Sequence, residues 1–180
     1  MDGAFSFQKS TQLSRLIEEV TDITQALDVS CHRQAVKPLL RFALPFLNVI
    51  PPAEALACDG GYARELIYSD PQGRFSILML SWMPGATTPI HGHQAWGCVG
   101  VLEGEIGCET YACDGDTLAR DSVCSTGRLL AGPGTVASVD PAPAGIHRLF
   151  NPTRARATTL HIYGIDLSAD PCCINIPVSD

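Results

Sequence analysis

The chain has 180 residues, 46% hydrophobic and 17% charged, a balance that supports one packed domain and excludes a disordered chain. Twelve Lys and Arg against nineteen Asp and Glu give a formal net charge of −7. We therefore expect no nucleic-acid partner, because such binding depends mainly on basic residues that contact phosphates. No apolar run approaches the roughly 18–20 residues of a membrane helix, so we also expect no membrane partner.

The N-terminal sequence and the cysteines predict a cytoplasmic protein. MDGAFSFQKSTQ lacks the basic start, apolar stretch and small-residue cleavage site of a secretory signal. None of the eight cysteines forms a C-x-x-C pair, which argues against a four-thiolate zinc site and a thioredoxin-type redox pair. In a reducing cytosol most of them are expected to be small buried hydrophobes. No feature of the sequence predicts an oligomeric state.

The N-terminal third has the period of helices. Apolar residues recur at three- and four-residue steps from Thr11 to about Leu27, which predicts one helix capped by Ser10 or Thr11. A second helix is predicted from about Cys31 to Phe46, with Pro38 and Pro45 breaking or bounding it. Pro51-Pro52 ends this region.

After about Gly60 the pattern changes to short β-rich runs between Gly, Pro and Asp turns. Regular short strands of this kind predict an antiparallel barrel or sandwich. We therefore expect a single domain over 1–180, helical over about 1–58 and a β-barrel over about 59–180. The predicted strands are ARELIYS, RFSILMLSW, WGCVGVLEG, EIGCETYAC, GTVASVD, HRLFN and TTLHIYGID.

Two of the five histidines form an H-x-H motif in a strand-like segment. Residues i and i+2 of a strand share one face, so His91 and His93 point into the same space and suit neighbouring positions on one metal ion. H-x-H alone is a weak signal, because two hydrogen-bonded or solvated histidines would give the same pattern. Imidazole ligands suit Fe, Zn, Cu and Ni alike and do not name a metal.

The context of this pair resembles the first metal motif of the cupin family, G-x5-H-x-H-x3-E-x6-G, from Gly85 to Gly104. Every spacing fits, but Gly97 stands at the glutamate position. PAGIHRLFN resembles the second cupin motif and places His147 four residues before Asn151, with one residue missing between Gly145 and His147. The resemblance implies a mainly β fold, a cupin antiparallel β-barrel (jelly roll) with a small helical N-terminal region.

From about Tyr62 to Tyr163 the sequence resembles the thiol dioxygenases typified by cysteine dioxygenase, more closely the bacterial branch. The resemblance implies that His91, His93 and His147 bind Fe(II) without a carboxylate. Such a site adds both atoms of O₂ to a small thiol and gives a sulfinate. The expected partners are therefore a small thiol substrate and O₂.

The same family carries a Ser-x-His-x-Tyr element, which here is Thr159-Leu160-His161-Ile162-Tyr163. Residues at steps of two share a strand face, so the hydroxyl, imidazole and phenol are able to form a hydrogen-bonded row. The resemblance implies a catalytic role for Tyr163, with His161 and Thr159 orienting it. A buried tyrosine whose hydroxyl merely finds a partner is the alternative.

Tyr62-Ala63-Arg64 resembles the family's Tyr-x-Arg, with one extra residue between Arg64 and Phe75. A guanidinium matches a carboxylate with two parallel hydrogen bonds, so Arg64 is the candidate carboxylate-binding residue and Tyr62 is expected to line the same pocket. An exposed strand arginine is the alternative. Arg148 follows His147 directly and is expected to point the other way.

Three positions depart from the animal enzymes, in which a cysteine crosslinks to the active-site tyrosine. The cupin spacing places Gly97 there, and Cys98, one residue along, faces the other side of the strand, so we expect no Cys98–Tyr163 thioether. Gly164 follows the tyrosine where the animal enzymes have Ser-Pro. Trp96-Gly97 is similar to the bacterial branch, which includes enzymes acting on 3-mercaptopropionate.

The sequence therefore predicts a non-haem Fe(II) thiol dioxygenase, with L-cysteine as the first candidate substrate and 3-mercaptopropionate or a related mercapto acid as the alternative. A non-catalytic, metal-binding cupin that senses a small carboxylate is an alternative of another class. Another metal-dependent cupin enzyme, such as an isomerase, is disfavoured by the absent glutamate and by the row that ends at Tyr163. His32, in the helical region, is expected to be structural or solvated.

Overall fold

The computed structural model describes residues 11–47, 56–58, 60–114, 118–171 and 173–178. Helices α1 (Thr11–Ala26) and α2 (Val29–Ala43) come first, followed by a 3₁₀ turn at Leu44–Phe46. A second 3₁₀ turn, Arg120–Ser122, precedes the seventh strand. The strands are β1 (Leu56–Cys58), β2 (Tyr62–Ser69), β3 (Ser76–Trp82), β4 (His91–His93), β5 (Gly97–Glu103), β6 (Ile106–Cys113), β7 (Val123–Ala131), β8 (Val136–Val139), β9 (Ile146–Phe150), β10 (Ala157–Tyr163) and β11 (Asn175–Pro177).

The described strands form two sheets, and within them every pair of neighbouring strands is antiparallel. Sheet I has six strands in the order β1-β2-β3-β10-β5-β8, and sheet II has five in the order β11-β4-β9-β6-β7. Neighbours in each sheet come from distant parts of the chain, as in a jelly roll. The predicted mainly β cupin barrel with a small helical N-terminal region is confirmed.

The core has two layers, because sheet I is covered on both faces. The helices pack against its outer face through Leu16, Val20, Val36 and Leu40, which share one buried cluster with Ile77, Met79, Leu160 and Ile162. Its inner face, which includes Leu78, Leu80 and Trp82, forms a second cluster with residues of sheet II such as Ile106 and Leu149. Strands β3 and β10 are consequently buried along their whole length, on both faces.

The helix predictions need two corrections. α2 runs through Pro38 instead of breaking there, and the chain changes to a 3₁₀ turn only at Leu44. Pro38 removes a hydrogen bond to the carbonyl four residues back, that of Gln34, but both residues are exposed, so water is able to satisfy that carbonyl. Leu27, predicted as the last residue of the apolar stripe, is 45% exposed and follows α1.

Three strands were not predicted. β1 and β11 have three residues each, too short for a period-2 signal. β7 has nine residues but is exposed along most of its length and contains Gly127. Its sequence therefore shows no regular alternation of apolar and polar residues. The β-structure thus begins at Leu56, inside the region predicted as helical.

Ser10 and Pro51-Pro52 lie outside the described residues, and the predictions made on them stay predictions. Among the described helices, none combines the length and the apolar character that crossing a bilayer requires.

Candidate metal centre and its hydrogen-bonded surroundings

Three imidazoles from sheet II converge on one point. His91 and His93 lie at alternate positions of β4, and His91 pairs directly with His147 on β9. Ring centroids are 4.9 Å apart for His91–His93, 4.8 Å for His91–His147 and 4.9 Å for His93–His147. One ring nitrogen from each lies within 4.8 Å of the others, which is close enough for one metal ion to bridge them after small side-chain rotations.

The hydrogen bonds of this cluster leave lone pairs free. The Nδ1 of His91 lies 2.9 Å from the carbonyl oxygen of Pro89, so Nδ1 carries the proton and Nε2 is left as an acceptor. Both ring nitrogens of His93 are buried without a hydrogen-bond partner among the described residues. Each unpaired buried group costs about 1–3 kcal/mol, and a metal ion bound to the ring would remove part of that cost.

Burial keeps these rings neutral. Desolvation, to which neighbouring imidazoles add for His147 and His93, lowers the pKa of His91 to about 4, that of His147 to about 3 and that of His93 to about 2. A neutral imidazole is the form that binds a metal. At neutral pH all three rings are therefore available as ligands.

The cluster contains no acidic side chain among the described residues. Gly97, at the glutamate position of the cupin motif, pairs with Val139 and Tyr163 on the neighbouring strands. A divalent ion held here would have three neutral ligands and keep its full charge, which strengthens its attraction for an anionic ligand such as a thiolate.

The predicted row on β10 forms as the spacing indicates. Oγ1 of Thr159 lies 2.8 Å from Nε2 of His161, and Nδ1 of His161 lies 3.0 Å from the hydroxyl of Tyr163. All three side chains are buried. A fourth residue joins the row, because the indole Nε1 of Trp82 donates to Oγ1 of Thr159 at 2.9 Å.

Tyr163 connects this row to the metal centre. Its ring centroid lies 5.4 Å from that of His93, and both residues line one cavity with His147. Burial raises the pKa of Tyr163 to about 12, so its phenol keeps its proton at neutral pH. Burial also lowers the pKa of His161 to about 3, which leaves that ring neutral with a single proton.

Arg64 faces the inside of the barrel. A bulge between Leu66 and Tyr68 absorbs the extra residue before Phe75, and Arg64 pairs with Leu80, which pairs with Thr159. Arg64 is only 5% exposed, so the alternative of an exposed strand arginine is wrong. Its charge also lowers the pKa values of His91, His93 and His161.

The guanidinium of Arg64 keeps unused donors. Nη1 donates to the carbonyl of Pro171 at 3.1 Å, and the group lies 5.5 Å from the ring centre of Tyr62. Its Nε is buried without a partner, and no described carboxylate pairs with it. A buried guanidinium without a counter-ion attracts anions strongly.

A cavity of about 390 Å³ lies between the sheets. Its polar lining includes His93, His147, Thr159, His161 and Tyr163, and the remainder is largely apolar, with Val101, Ile106, Leu129 and Leu149. Neither Arg64 nor Tyr62 lines this cavity, although they were expected to share a pocket with the metal ligands. Arg64 therefore affects the imidazoles through its positive charge, which lowers their pKa values, and not as part of the cavity lining.

Cys98 is turned away from Tyr163, as expected. Cys98 pairs with Ile162, whereas Gly97 pairs with Tyr163. Sγ of Cys98 donates to the carbonyl of Arg33 on α2 at 3.6 Å, and burial raises the pKa of the thiol to about 12. A Cβ at position 97 would lie 2.9 Å from the Tyr163 ring, so glycine makes room for the phenol.

Three other residues prove to be structural. His32 donates from Nε2 to the carbonyl of Leu27 at 2.8 Å and packs edge-on against Trp96. Arg148 donates from Nε to Glu109 at 3.0 Å, away from the imidazoles, as expected. Asn151, the end of the second cupin motif, donates to the carbonyl of Ala155 at 2.8 Å and so organises the loop before β10.

Sequence analysis missed two contributors to the site, Trp82 and the carbonyl of Pro89. Trp82 ends a predicted strand, but its contact with Thr159 depends on how β3 pairs with β10, which periodicity does not reveal. Pro89 stands two residues before His91, and a proline just before a metal-binding strand is a signal that could have been noticed.

Comparisons with known proteins give a family match and weak structural likenesses. The model of the family described as Cysteine dioxygenase type I matches residues 56–169. Oxalate oxidase is similar in structure at 18% identity and a TM-score of 0.48, over 68% of this chain and 60% of that chain. A Cupin 2 conserved barrel domain protein from Salinispora arenicola CNS-205 is similar at 17% identity and a TM-score of 0.47, over 65% of this chain and 87% of that chain. Likenesses with TM-scores below 0.5 carry no argument about this chain.

Proposed function

Because the chain belongs to the cysteine dioxygenase type I family, we propose that it is an Fe(II)-dependent thiol dioxygenase that converts L-cysteine to cysteine sulfinate. The observation that carries this proposal is the convergence of three neutral imidazoles without a described carboxylate. The thiol and O₂ combine as RSH + O₂ → RSO₂H. Sulfur supplies the four electrons that O₂ accepts, so no further reductant is needed.

His91, His93 and His147 would hold the iron, because one ring nitrogen of each faces the same point and both ring nitrogens of His93 have no other described partner. A ferrous ion supplies open coordination positions and the redox capacity to couple a thiolate with O₂, which protein side chains lack. The largely apolar lining of the cavity disfavours ordered water in the neighbouring space.

The protein groups around the iron would orient the substrate. Tyr163 is a protonated phenol beside His93 and is suited to donate a hydrogen bond to an oxygen atom of the substrate or of O₂. Arg64 is a buried cation with unused donors and is suited to bind the substrate carboxylate from the neighbouring side, with Tyr62 beside it. Holding the reactants in one geometry supplies much of the rate enhancement.

A mercapto acid such as 3-mercaptopropionate is the second candidate substrate. Asp140 is the one acidic residue in the described cavity lining, and it pairs with Arg33 at 2.8 Å. No described carboxylate near the imidazoles is therefore placed to bind the ammonium group of cysteine. This favours a thiol that carries a carboxylate without an amine.

The test is O₂ uptake by anaerobically iron-loaded protein with L-cysteine, 3-mercaptopropionate and cysteamine, with sulfinate measured by mass spectrometry. Turnover of L-cysteine with one O₂ consumed per sulfinate supports the proposal. If 3-mercaptopropionate is consumed and L-cysteine is not, the proposed substrate becomes a mercapto acid instead of L-cysteine. A protein that binds iron, consumes no thiol and still binds small carboxylates would be a non-catalytic cupin instead.

The compartment belongs to the same proposal. Of the six described cysteines, which carry no disulfide, Cys98 alone is buried and Cys31, Cys124 and Cys173 are exposed, so the expectation that most cysteines are buried is wrong for the described ones. Exposed free thiols persist in a reducing compartment, so we place the protein in the cytoplasm. The protein's acidic character argues against nucleic acid as a partner, leaving the thiol and O₂ as its proposed partners.

A further inference from the structure

The row on β10 is capped at its far end by a group that can only donate. The indole Nε1–H of Trp82 has no lone pair to offer, and it lies 2.9 Å from Oγ1 of Thr159. Trp82 and Thr159 are both fully buried, so water does not replace this contact. One of the acceptor positions of the Thr159 hydroxyl is therefore taken by Trp82.

Among the described residues, one acceptor is then available for the proton of the Thr159 hydroxyl. The hydroxyl contacts Trp82, which accepts nothing, and Nε2 of His161, at 2.8 Å. If Nε2 carried a proton, Thr159 would accept from both sides and its own buried proton would have no partner. Leaving a buried donor unpaired is unfavourable, so Thr159 donates to an unprotonated Nε2.

The direction passes along the row to the cavity. A neutral His161 with a bare Nε2 carries its proton on Nδ1, and that N–H donates to the Tyr163 hydroxyl at 3.0 Å. The phenolic proton of Tyr163 is then not used within the row. It is free to be donated into the cavity that Tyr163 shares with His93 and His147.

We propose that Trp82 is a positioning residue that sets the direction of the Thr159–His161–Tyr163 row, so that Tyr163 faces the metal centre as a hydrogen-bond donor. The role in catalysis rests on the function proposed above, whereas the direction of the row does not. With the opposite direction, Tyr163 would donate to His161 and offer only lone pairs to the cavity. Such a site would not favour an anionic or oxygen ligand beside the three imidazoles.

The position of Trp82 is itself well defined. Its indole stacks on Tyr62 with ring centroids 5.0 Å apart and an angle of 23°, and Tyr62 is also in contact with the guanidinium of Arg64. Trp82 therefore joins the two substrate-binding groups of the proposal, Arg64 on β2 and Tyr163 on β10. A change at Trp82 is expected to act on both through their neighbours.

The direct test is the tautomer of His161 in the metal-free protein, read from long-range ¹H–¹⁵N spectra of the imidazole rings. We expect Nδ1 to carry the proton and Nε2 to be bare. A His161 ring protonated at Nε2 would overturn the proposal. The measurement needs no thiol, so its outcome is independent of whether the protein proves to be a thiol dioxygenase.

Trp82→Phe tests whether the indole sets that direction. Without the donor, Thr159 is able to accept from Nε2–H, and we expect a mixture of tautomers or the reversed one. Trp96→Phe is the matched control, because its indole nitrogen is buried without a described partner, and it should leave the His161 tautomer unchanged. A folded Trp82→Phe protein with the wild-type tautomer would contradict the proposal.

If Trp82→Phe does not fold, an isostere keeps the test available. The chain has two tryptophans, so benzothienylalanine incorporated in the Trp96→Phe background replaces Trp82 alone. This residue keeps the bicyclic shape but has sulfur in place of the N–H. An unchanged tautomer would again exclude a directing role, and a changed one would support it.

In the iron-loaded enzyme, Trp82→Phe should lower kcat/KM for the preferred thiol about tenfold while iron content stays constant, the loss expected for one misdirected hydrogen bond. Thr159→Ser keeps the hydroxyl and should keep the wild-type tautomer. If wild-type protein shows the expected tautomer but no thiol turnover, the proposed function fails and the direction of the row stands.

Discussion

The inner faces of the two sheets contribute different chemistry to one site. Sheet II presents His91, His93 and His147, whose ring nitrogens have few hydrogen-bond partners, and both nitrogens of His93 have none among the described residues. Sheet I presents Thr159, His161 and Tyr163, in which each polar atom has a partner and the chain of bonds extends to Trp82. The first set is suited to bind a metal ion, and the second is suited to donate a hydrogen bond in one direction.

This difference shows how burial serves two ends. A buried imidazole without a hydrogen-bond partner is unfavourable by itself. Its free lone pair is available to bind a metal, which removes part of that cost. A fully paired buried row has a defined orientation and presents one hydrogen bond accurately to the substrate. We expect changes on sheet II to abolish metal binding, and changes on sheet I to alter turnover while metal binding remains.

The largest effect is expected for His147→Ala on sheet II. Removing one of three neutral ligands should lower iron retention by well over about tenfold, since even indirect changes at metal sites cost 10- to 100-fold. The barrel should stay folded, because the His147 side chain is only half-buried in β9. Metal analysis and circular dichroism test this, with His32→Gln as the control for loss of a buried imidazole elsewhere. Unchanged iron content would remove His147 from the ligand set.

Tyr163→Phe on sheet I should leave iron retention unchanged and lower kcat by roughly 10- to 100-fold, because a donor to the reacting oxygen atoms is lost. Steady-state O₂ uptake and iron content measure the two quantities. Tyr111→Phe is the matched control, since the Tyr111 hydroxyl donates to Glu109 at 3.0 Å instead of facing the imidazoles. Loss of iron in Tyr163→Phe would break the division between the sheets.

Arg64→Ala should raise KM for carboxylate-bearing thiols by roughly 10- to 100-fold, the equivalent of one or two hydrogen bonds to a charged group. KM for cysteamine, which has no carboxylate, should change much less. Arg148→Ala is the control, because Arg148 is bound to Glu109. Equal effects of Arg64→Ala on both kinds of thiol would make Arg64 structural.

Acidification should destabilise the metal-free protein before its carboxylates titrate. Burial lowers the pKa of His91, His93, His147 and His161 to about 4, 2, 3 and 3 from an unfolded value of 6.5. Below pH 6.5 the unfolded chain binds more protons than the native state, so stability falls as pH decreases, by at most about 1.4 kcal/mol per pH unit for each ring.

Urea unfolding at pH 7.5 and pH 5.5 measures this loss. His161→Gln should reduce the slope by the share of one imidazole, because it removes one ring that protonates only on unfolding. A metal-free protein that is equally stable at both pH values would show that the rings take up protons without unfolding.

Cys98→Ala should have the smallest effect. The sulfur packs against α2 on the outer face of sheet I, so activity should change less than about twofold and the free energy of unfolding by roughly 1 kcal/mol. The intact mass of the wild-type protein should equal that of the sequence. A mass two hydrogens lower, abolished by Cys98→Ala, would indicate a crosslink and contradict the strand register.

Much of the candidate site could be predicted because its residues are close in sequence. His91 and His93, and likewise the row on β10, lie at steps of two, and a strand places such residues on one face whatever surrounds it. The bulge in β2 could not be predicted, since it depends on pairing with β3. The role of Trp82 was missed for the same reason.

Local sequence alone determined that this chain has two amphipathic helices, short strands, an H-x-H pair without a following carboxylate and a hydroxyl–imidazole–phenol row. Tertiary structure decided that His147 joins the pair, that Cys98 faces the helices and that Arg64 is buried without a counter-ion among the described residues. The reason is physical. Strand periodicity is a property of the backbone, whereas register, burial and the direction of a hydrogen bond depend on partners from distant parts of the chain.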